Sequence, residues 1–188
     1  MASPGAKALE DRVAVWDTAV RCLHWLLVAT VAIAWLSSLA LLGWHEPAGY
    51  AAAAIVAARV AWGFTGSRHA RFASFVRGPA AVAAYGRRVL ARRERRYLGH
   101  NPLGGWMVLA LLACVGALGV TGWLYTATDL FWGEAWLERV HAALAWLLLA
   151  LIALHVAGVV FTSLRQRENL VRAMVTGAKQ APGADDAA

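Results

Sequence analysis

The chain has 188 residues, of which 60% are apolar and only 15% charged, and its mean hydropathy is +0.53. Average globular composition is nearer half apolar and a quarter charged, so these values exclude intrinsic disorder, a disulfide scaffold and an ordinary cytosolic domain. The net charge of +7 and a pI near 10.2 leave two classes open, nucleic-acid binders and membrane proteins, and the position of the positive charge separates them.

Taken in chain order, residues 1–12 read as a flexible N-terminal tail, and the body of the protein as residues 13–177. Cys22 to His45 is 24 residues without Asp, Glu, Lys or Arg, and Pro47 to Ser67 is 21 residues interrupted only by Arg59. Tyr97 to Thr128 carries no charge, and Val140 to Leu164 adds 25 more uncharged residues. A membrane-crossing helix needs about 20 mostly apolar residues. The runs therefore predict four transmembrane helices near 21–43, 47–66, 103–126 and 138–163. A soluble helix of that length needs a polar face, which these runs lack. The first run is too long for a removable signal segment and no small-residue cleavage pattern follows it. Residues 178–188 read as a flexible C-terminal tail.

The connections sort by charge. The first, around Gly43–Glu46, has no Lys or Arg, and the third, Asp129–Arg139, has one Arg against three acids. The second holds nine Arg, at 68, 71, 77, 87, 88, 92, 93, 95 and 96, and the two tails add more basic residues. Tails and second connection share one side of an even-spanned protein, which the positive-inside rule makes cytoplasmic. The excess charge thus marks topology. Nucleic-acid binding would need base-reading or stacking groups, and the basic stretch offers only Tyr85 and Tyr97. The expected fold is all-α, an integral membrane four-helix bundle with a basic cytoplasmic loop helix over 79–96 lying on lipid headgroups. Trp16, Trp44, Trp62, Trp123, Trp132 and Trp136 fall near span ends, where most Trp act as interface anchors.

The six histidines carry the chemistry. His141 and His155 are 14 residues apart, close to four turns, so they share a face of the fourth span about 21 Å apart along its axis. The fourth span runs from outside to inside, so His141 is outer and His155 inner. His24 begins the first span on the inner side, and His45 begins the second on the outer side. The levels pair His24 with His155 and His45 with His141. Ionisable groups in lipid are costly and point to function. Zinc and copper sites want three or four ligands with Cys or carboxylate among them, whereas haem brings four nitrogens and needs two axial ligands. Two bis-histidine haems fit this pattern, with the four histidines as axial iron ligands. Without a Cys-x-x-Cys-His motif they would be non-covalent b haems. Arg59 lies 14 residues after His45, on the same face but near the inner end. It has two readings, a partner for a haem propionate or a side chain snorkelling to the inner surface. Gly116, Gly119 and Gly122 form a small-residue strip that suits close helix packing or a porphyrin face equally. Cys22 and Cys114 read as small buried residues. His69 and His100 read as surface or capping histidines, with a quinone-site or proton-relay role as the other option, and Asn101–Pro102 as a helix start.

Several stretches together carry a family resemblance. They are Val15-Trp16-Asp17 with Arg21-Cys22-Leu23-His24-Trp25, and His45-Glu46-Pro47-Ala48-Gly49 with Arg59. Arg68-His69-Ala70-Arg71-Phe72, Gly99-His100-Asn101-Pro102, the His141–His155 spacing and Arg167-Glu168-Asn169-Leu170-Val171-Arg172-Ala173-Met174 complete them. In this order they resemble the bacterial cytochrome b561 family, which includes the cytochrome b subunits of nickel–iron hydrogenases. The resemblance implies a four-helix membrane cytochrome with two b haems on the same four histidines. It also implies electron exchange between quinone or quinol and a redox partner, a periplasmic or membrane protein such as a cytochrome c or a hydrogenase-like complex. The alternatives are a hydrogenase-type subunit, disfavoured because those often carry a fifth helix, and an oxidoreductase acting directly on superoxide or quinone at a haem edge.

Overall fold

A computed structural model describes residues 12–40, 43–183 and 186. The N-terminal tail expected over 1–12 lies outside these residues except for Arg12, and so do positions 41 and 42 of the first expected span.

Four long helices dominate: α1 Thr18–Leu39, α2 His45–Thr65, α5 Pro102–Ala127 and α6 Ala135–Gln166. All four are long and apolar enough to cross a membrane. At about 1.5 Å per residue, each matches or exceeds a hydrocarbon layer of roughly 30 Å. Helix starts follow local chemistry. The Asp17 side chain accepts the Val20 amide at 2.8 Å to cap α1, and Asn101 accepts the Gly104 amide at 2.8 Å to cap α5, with Pro102 next. Asn101–Pro102 is thus the helix start its residue types predict.

Shorter elements gather at the basic end of the bundle. They are β1 Arg12–Ala14, α3 Phe72–Phe75, α4 Pro79–Leu90, α7 Leu170–Thr176 and β2 Ala178–Gln180. The basic helix is shorter than the 79–96 expected. Ala91 caps it and Arg92 turns into the left-handed region at φ 56°. Tyr85 is its buried residue, packed edge-on to Tyr97 at 5.7 Å.

Spans pack in chain order, α1 along α2, α2 along α5 and α5 along α6. The main core lies at these contacts: Ala52 and Val56 of α2, Leu112, Cys114 and Val115 of α5, and Leu148 of α6. Helix α6 has no comparable packing on α1 or α2. A T-shaped pair, Trp35 on α1 and Trp146 on α6, reaches between those helices with ring centres 5.3 Å apart. Gly119 is a close-approach position, since a Cβ there would meet the Ala53 Cβ at 2.8 Å. Helix packing is therefore the reading of the glycine strip that holds at Gly119. Gly116 has nothing within 4 Å of such a Cβ.

A second, smaller core caps the basic end. Val15, Trp16, Val20, Ala70 and Ala173 form it, with Trp62 and Met174 against them. Strands β1 and β2 pair antiparallel, Arg12 opposite Gln180 and Ala14 opposite Ala178. Gly177, at φ 83°, turns the chain from α7 into β2, and its carbonyl accepts the Val15 and Trp16 amides at 2.8 and 3.0 Å. Residues 178–180, placed in the flexible tail on composition, are thus a paired strand. Trp16 and Trp62, expected as interface anchors, belong to this cap instead. Trp62 donates to the Asp17 carboxylate at 3.1 Å, and Ser67 donates to the same oxygen. Trp44, Trp123, Trp132 and Trp136 at the opposite end are exposed, as anchors require. Cys114 is buried, but Cys22 is exposed, contrary to expectation. It lies on α1, whose only buried residues are Val20 and Ser37.

Candidate functional site

The outer level is formed by His45, the first residue of α2, and His141, in the second turn of α6. Their ring centroids are 6.0 Å apart and the planes are inclined by 75°. Each ring is oriented from a different helix. His45 Nδ1 lies 2.8 Å from the Ala34 carbonyl of α1. A carbonyl only accepts, so Nδ1 carries the proton and the lone pair is on Nε2. His141 Nδ1 lies 2.8 Å from Thr121 Oγ1 of α5. The single Thr121 hydroxyl proton points back to the Ala117 and Leu118 carbonyls at 2.9 and 3.1 Å, so Thr121 accepts from His141 Nδ1–H. Both imidazoles thereby have Nδ1 engaged and leave Nε2 as the ring nitrogen available to a metal, the arrangement metal-binding histidines use. Gly122 gives His141 room, since a Cβ there would lie 3.5 Å from Cε1 of the ring.

The donor set can be tested against a haem. An imidazole nitrogen sits about 2 Å from a bound metal, so two rings facing each other across one metal have centres roughly 6 Å apart, and the pair matches. No group of three or more His, Cys, Asp or Glu side chains converges among the described residues, which disfavours a bare zinc or copper site. The helices that carry each pair, α2 with α6 and α1 with α6, are the ones that do not pack on each other. A flat group with two axial nitrogen ligands fits both features.

The inner level carries His24 on α1 and His155 on α6, one four-turn step along α6 from His141. Its surroundings differ from the outer level. Arg59 is 8% exposed, so it does not snorkel to the surface. Its Nη2 donates to the Ala70 carbonyl at 3.1 Å, its guanidinium carbon lies 5.4 Å from the Phe72 ring centre, and its Nη1 has no partner. Among the described residues it makes no ion pair.

His100 is not the surface histidine expected. Its ring is held between Trp16 and Phe75, at 4.7 and 4.8 Å between centroids, and Nδ1 is sealed from solvent without a partner. Burial above all, then the positive charges of Arg59 and Lys179, with His155 and His24 beyond, lower its pKa to about 3. It is therefore neutral at physiological pH. His69 is half-buried beside Gly99, and burial first, with Arg68 and Lys179 adding, lowers its pKa also.

The charged cap is the part that residue-type reasoning missed. Glu168 is buried and takes Arg96 at 3.1 Å and Lys179 at 3.7 Å, while Arg96 also reaches Asp186. Lys179 donates to the Tyr97 and Leu98 carbonyls at 3.1 and 3.0 Å, just ahead of His100. Asp17, flagged only as part of a motif, caps α1 and ties it to Trp62 and Ser67. Burial opposes its ionisation, but those hydrogen bonds outweigh burial and hold its carboxyl below the usual range. The signal for these residues was present as unexplained charge in Val15-Trp16-Asp17 and Arg167-Glu168-Asn169, with no partner visible nearby in sequence.

No curated protein and no solved structure matches the chain. The sequence profile of prokaryotic cytochrome b561 matches residues 15–177, which takes in all four spans and every histidine. The chain belongs to the prokaryotic cytochrome b561 family, membrane cytochromes that bind b-type haem and carry electrons across the bilayer.

Proposed function

We propose that this chain relays single electrons across a bacterial inner membrane on two non-covalent b haems. His24 and His155 would hold the inner one and His45 and His141 the outer one. The observation that carries this reading is the outer pair, two rings 6.0 Å apart whose Nδ1 atoms are both engaged and whose Nε2 atoms are both free to bind. When bound, a six-coordinate haem supplies a one-electron ferric–ferrous couple with no open iron position. The protein's own contribution is orientation and electrostatics. Ala34 and Thr121 hold the outer rings, and Arg59 offers a buried cation with a free N–H to a propionate. The basic end faces the cytoplasm by the positive-inside rule, with both termini there.

Quinone or quinol is the small-molecule partner, and a periplasmic or membrane redox protein is the other. An apolar groove of about 640 Å³ lies between α2, α3 and α5, lined by Val60, Phe64, Phe72, Val76, Leu109 and Leu112. Phe72 is also the ring that Arg59 covers. An isoprenoid tail in this groove would bring a quinone toward the inner level. The test is a count of haem b per purified chain with a dithionite-reduced minus oxidised spectrum. Two haems with b-type bands are expected. One haem per chain, or none, would overturn the two-level reading.

A further inference from the structure

Buried polar atoms in folded proteins are nearly always hydrogen-bonded, so each orphan asks for an explanation. At the inner end the orphans include Arg21 Nε near the start of α1, Arg59 Nη1 and His100 Nδ1. The last two are joined by a short aromatic ladder. Arg59 lies over Phe72, Phe72 packs on Phe75 at 5.8 Å, and Phe75 packs on His100. The Trp16 and Phe75 rings both pack against the imidazole.

The carboxylates around this ladder already have hydrogen-bond or ion-pair partners. Asp17 is committed to Val20, Trp62 and Ser67, and Glu168 to Arg96, Lys179 and the Gln180 amide. Asp17 acts on Arg59 through space without forming an ion pair, and Arg59 Nη1 keeps an unpaired N–H beside a neutral imidazole that can present one N–H. A charged donor and a neutral donor with nothing to bind form a seat for one carboxylate.

We propose that His100 is a positioning residue for the inner haem, donating from Nδ1–H to the propionate carboxylate that Arg59 Nη1 also binds. The inference rests on His24 and His155 being the inner ligands. It assigns His100 a role toward the haem periphery and none at iron.

Midpoint potentials of the two haems, titrated spectroelectrochemically in wild type, H100F and H100Q, test it. H100F keeps the aromatic sandwich and loses the donor, whereas H100Q keeps an N–H. Losing the donor leaves more of the propionate charge unneutralised, which favours ferric iron. H100F is expected to shift the inner haem's reduction equilibrium at least tenfold toward ferric, 59 mV for one electron, with the outer haem unchanged. H100Q is expected to stay within threefold of wild type. Unchanged potentials in H100F, equal shifts at both haems, or H100Q as impaired as H100F would each overturn the proposal and leave His100 as packing. A measurement free of variants uses ¹⁵N-histidine protein loaded with haem ¹³C-labelled at the propionate carboxyls. Dipolar coupling between His100 and a carboxyl carbon is expected, and its absence overturns the proposal even if H100F does not accumulate. A wild-type chain without b-type bands would sink the two-haem reading first, and the inference with it.

Discussion

The two ends of the bundle are built by different means. At the outer level every positioning contact comes from within the spans: Ala34 of α1 holds His45, and Thr121 of α5 holds His141. At the basic end the neighbours of Arg59 and His100 come from outside them. His100 precedes α5, Phe72 and Phe75 lie on α3, Trp16 precedes α1, and the cap closing this end joins both termini to the second connection. A site ordered by helix-to-helix hydrogen bonds survives as long as the bundle does. A site ordered by loops depends on a small second core that can fail separately.

The largest predicted effect breaks that comparison at its outer half. His141→Ala removes an axial nitrogen and is expected to abolish the outer haem, halving haem content by pyridine haemochrome while the inner haem keeps its spectrum. Loss of both haems from a folded chain would mean the levels are not independent.

Breaking the cap should act on the other half. Glu168→Ala leaves Lys179 buried without its carboxylate. Removal of one partner from a buried pair costs roughly 3 kcal/mol, the low end of the usual range because Arg96 keeps Asp186. Thermal unfolding in detergent, followed at the Soret band, should show the inner haem released at lower temperature than the outer. Simultaneous release at an unchanged temperature would contradict separate cores.

A smaller change sharpens the outer half. Thr121→Val keeps the shape at position 121 and deletes the acceptor for His141 Nδ1–H. Loss of such an orienting hydrogen bond typically weakens a metal site by about 10–100-fold. Outer-haem transfer to apomyoglobin should accelerate on that order, with the inner rate unchanged.

Much of the bundle was legible along the chain because its signals are local. A gap in charge of 20 residues marks a span wherever it occurs, and the observed helices start and stop within a few residues of those gaps. Placing His45 level with His141 needed only the helical rise and the alternating direction of the spans. Asn101 and Pro102 announced a helix start because capping is decided within three residues. His100 was misread for the opposite reason. A histidine in a polar loop looks exposed, and only Trp16 and Phe75, far away in sequence, bury it. The same holds for β2, whose three residues look like tail until β1 pairs with them.

The sequence by itself determined four apolar spans, the gathering of Arg at one end and the meeting of His45 with His141, since hydropathy, charge and helical period are read one segment at a time. Only the tertiary structure decided the Nδ1 partners of the outer rings, the isolation of Arg59 and His100, and the cap that joins the termini. Those depend on contacts between residues 11 to 154 positions apart. Nothing local to either partner in the chain encodes the distance between them.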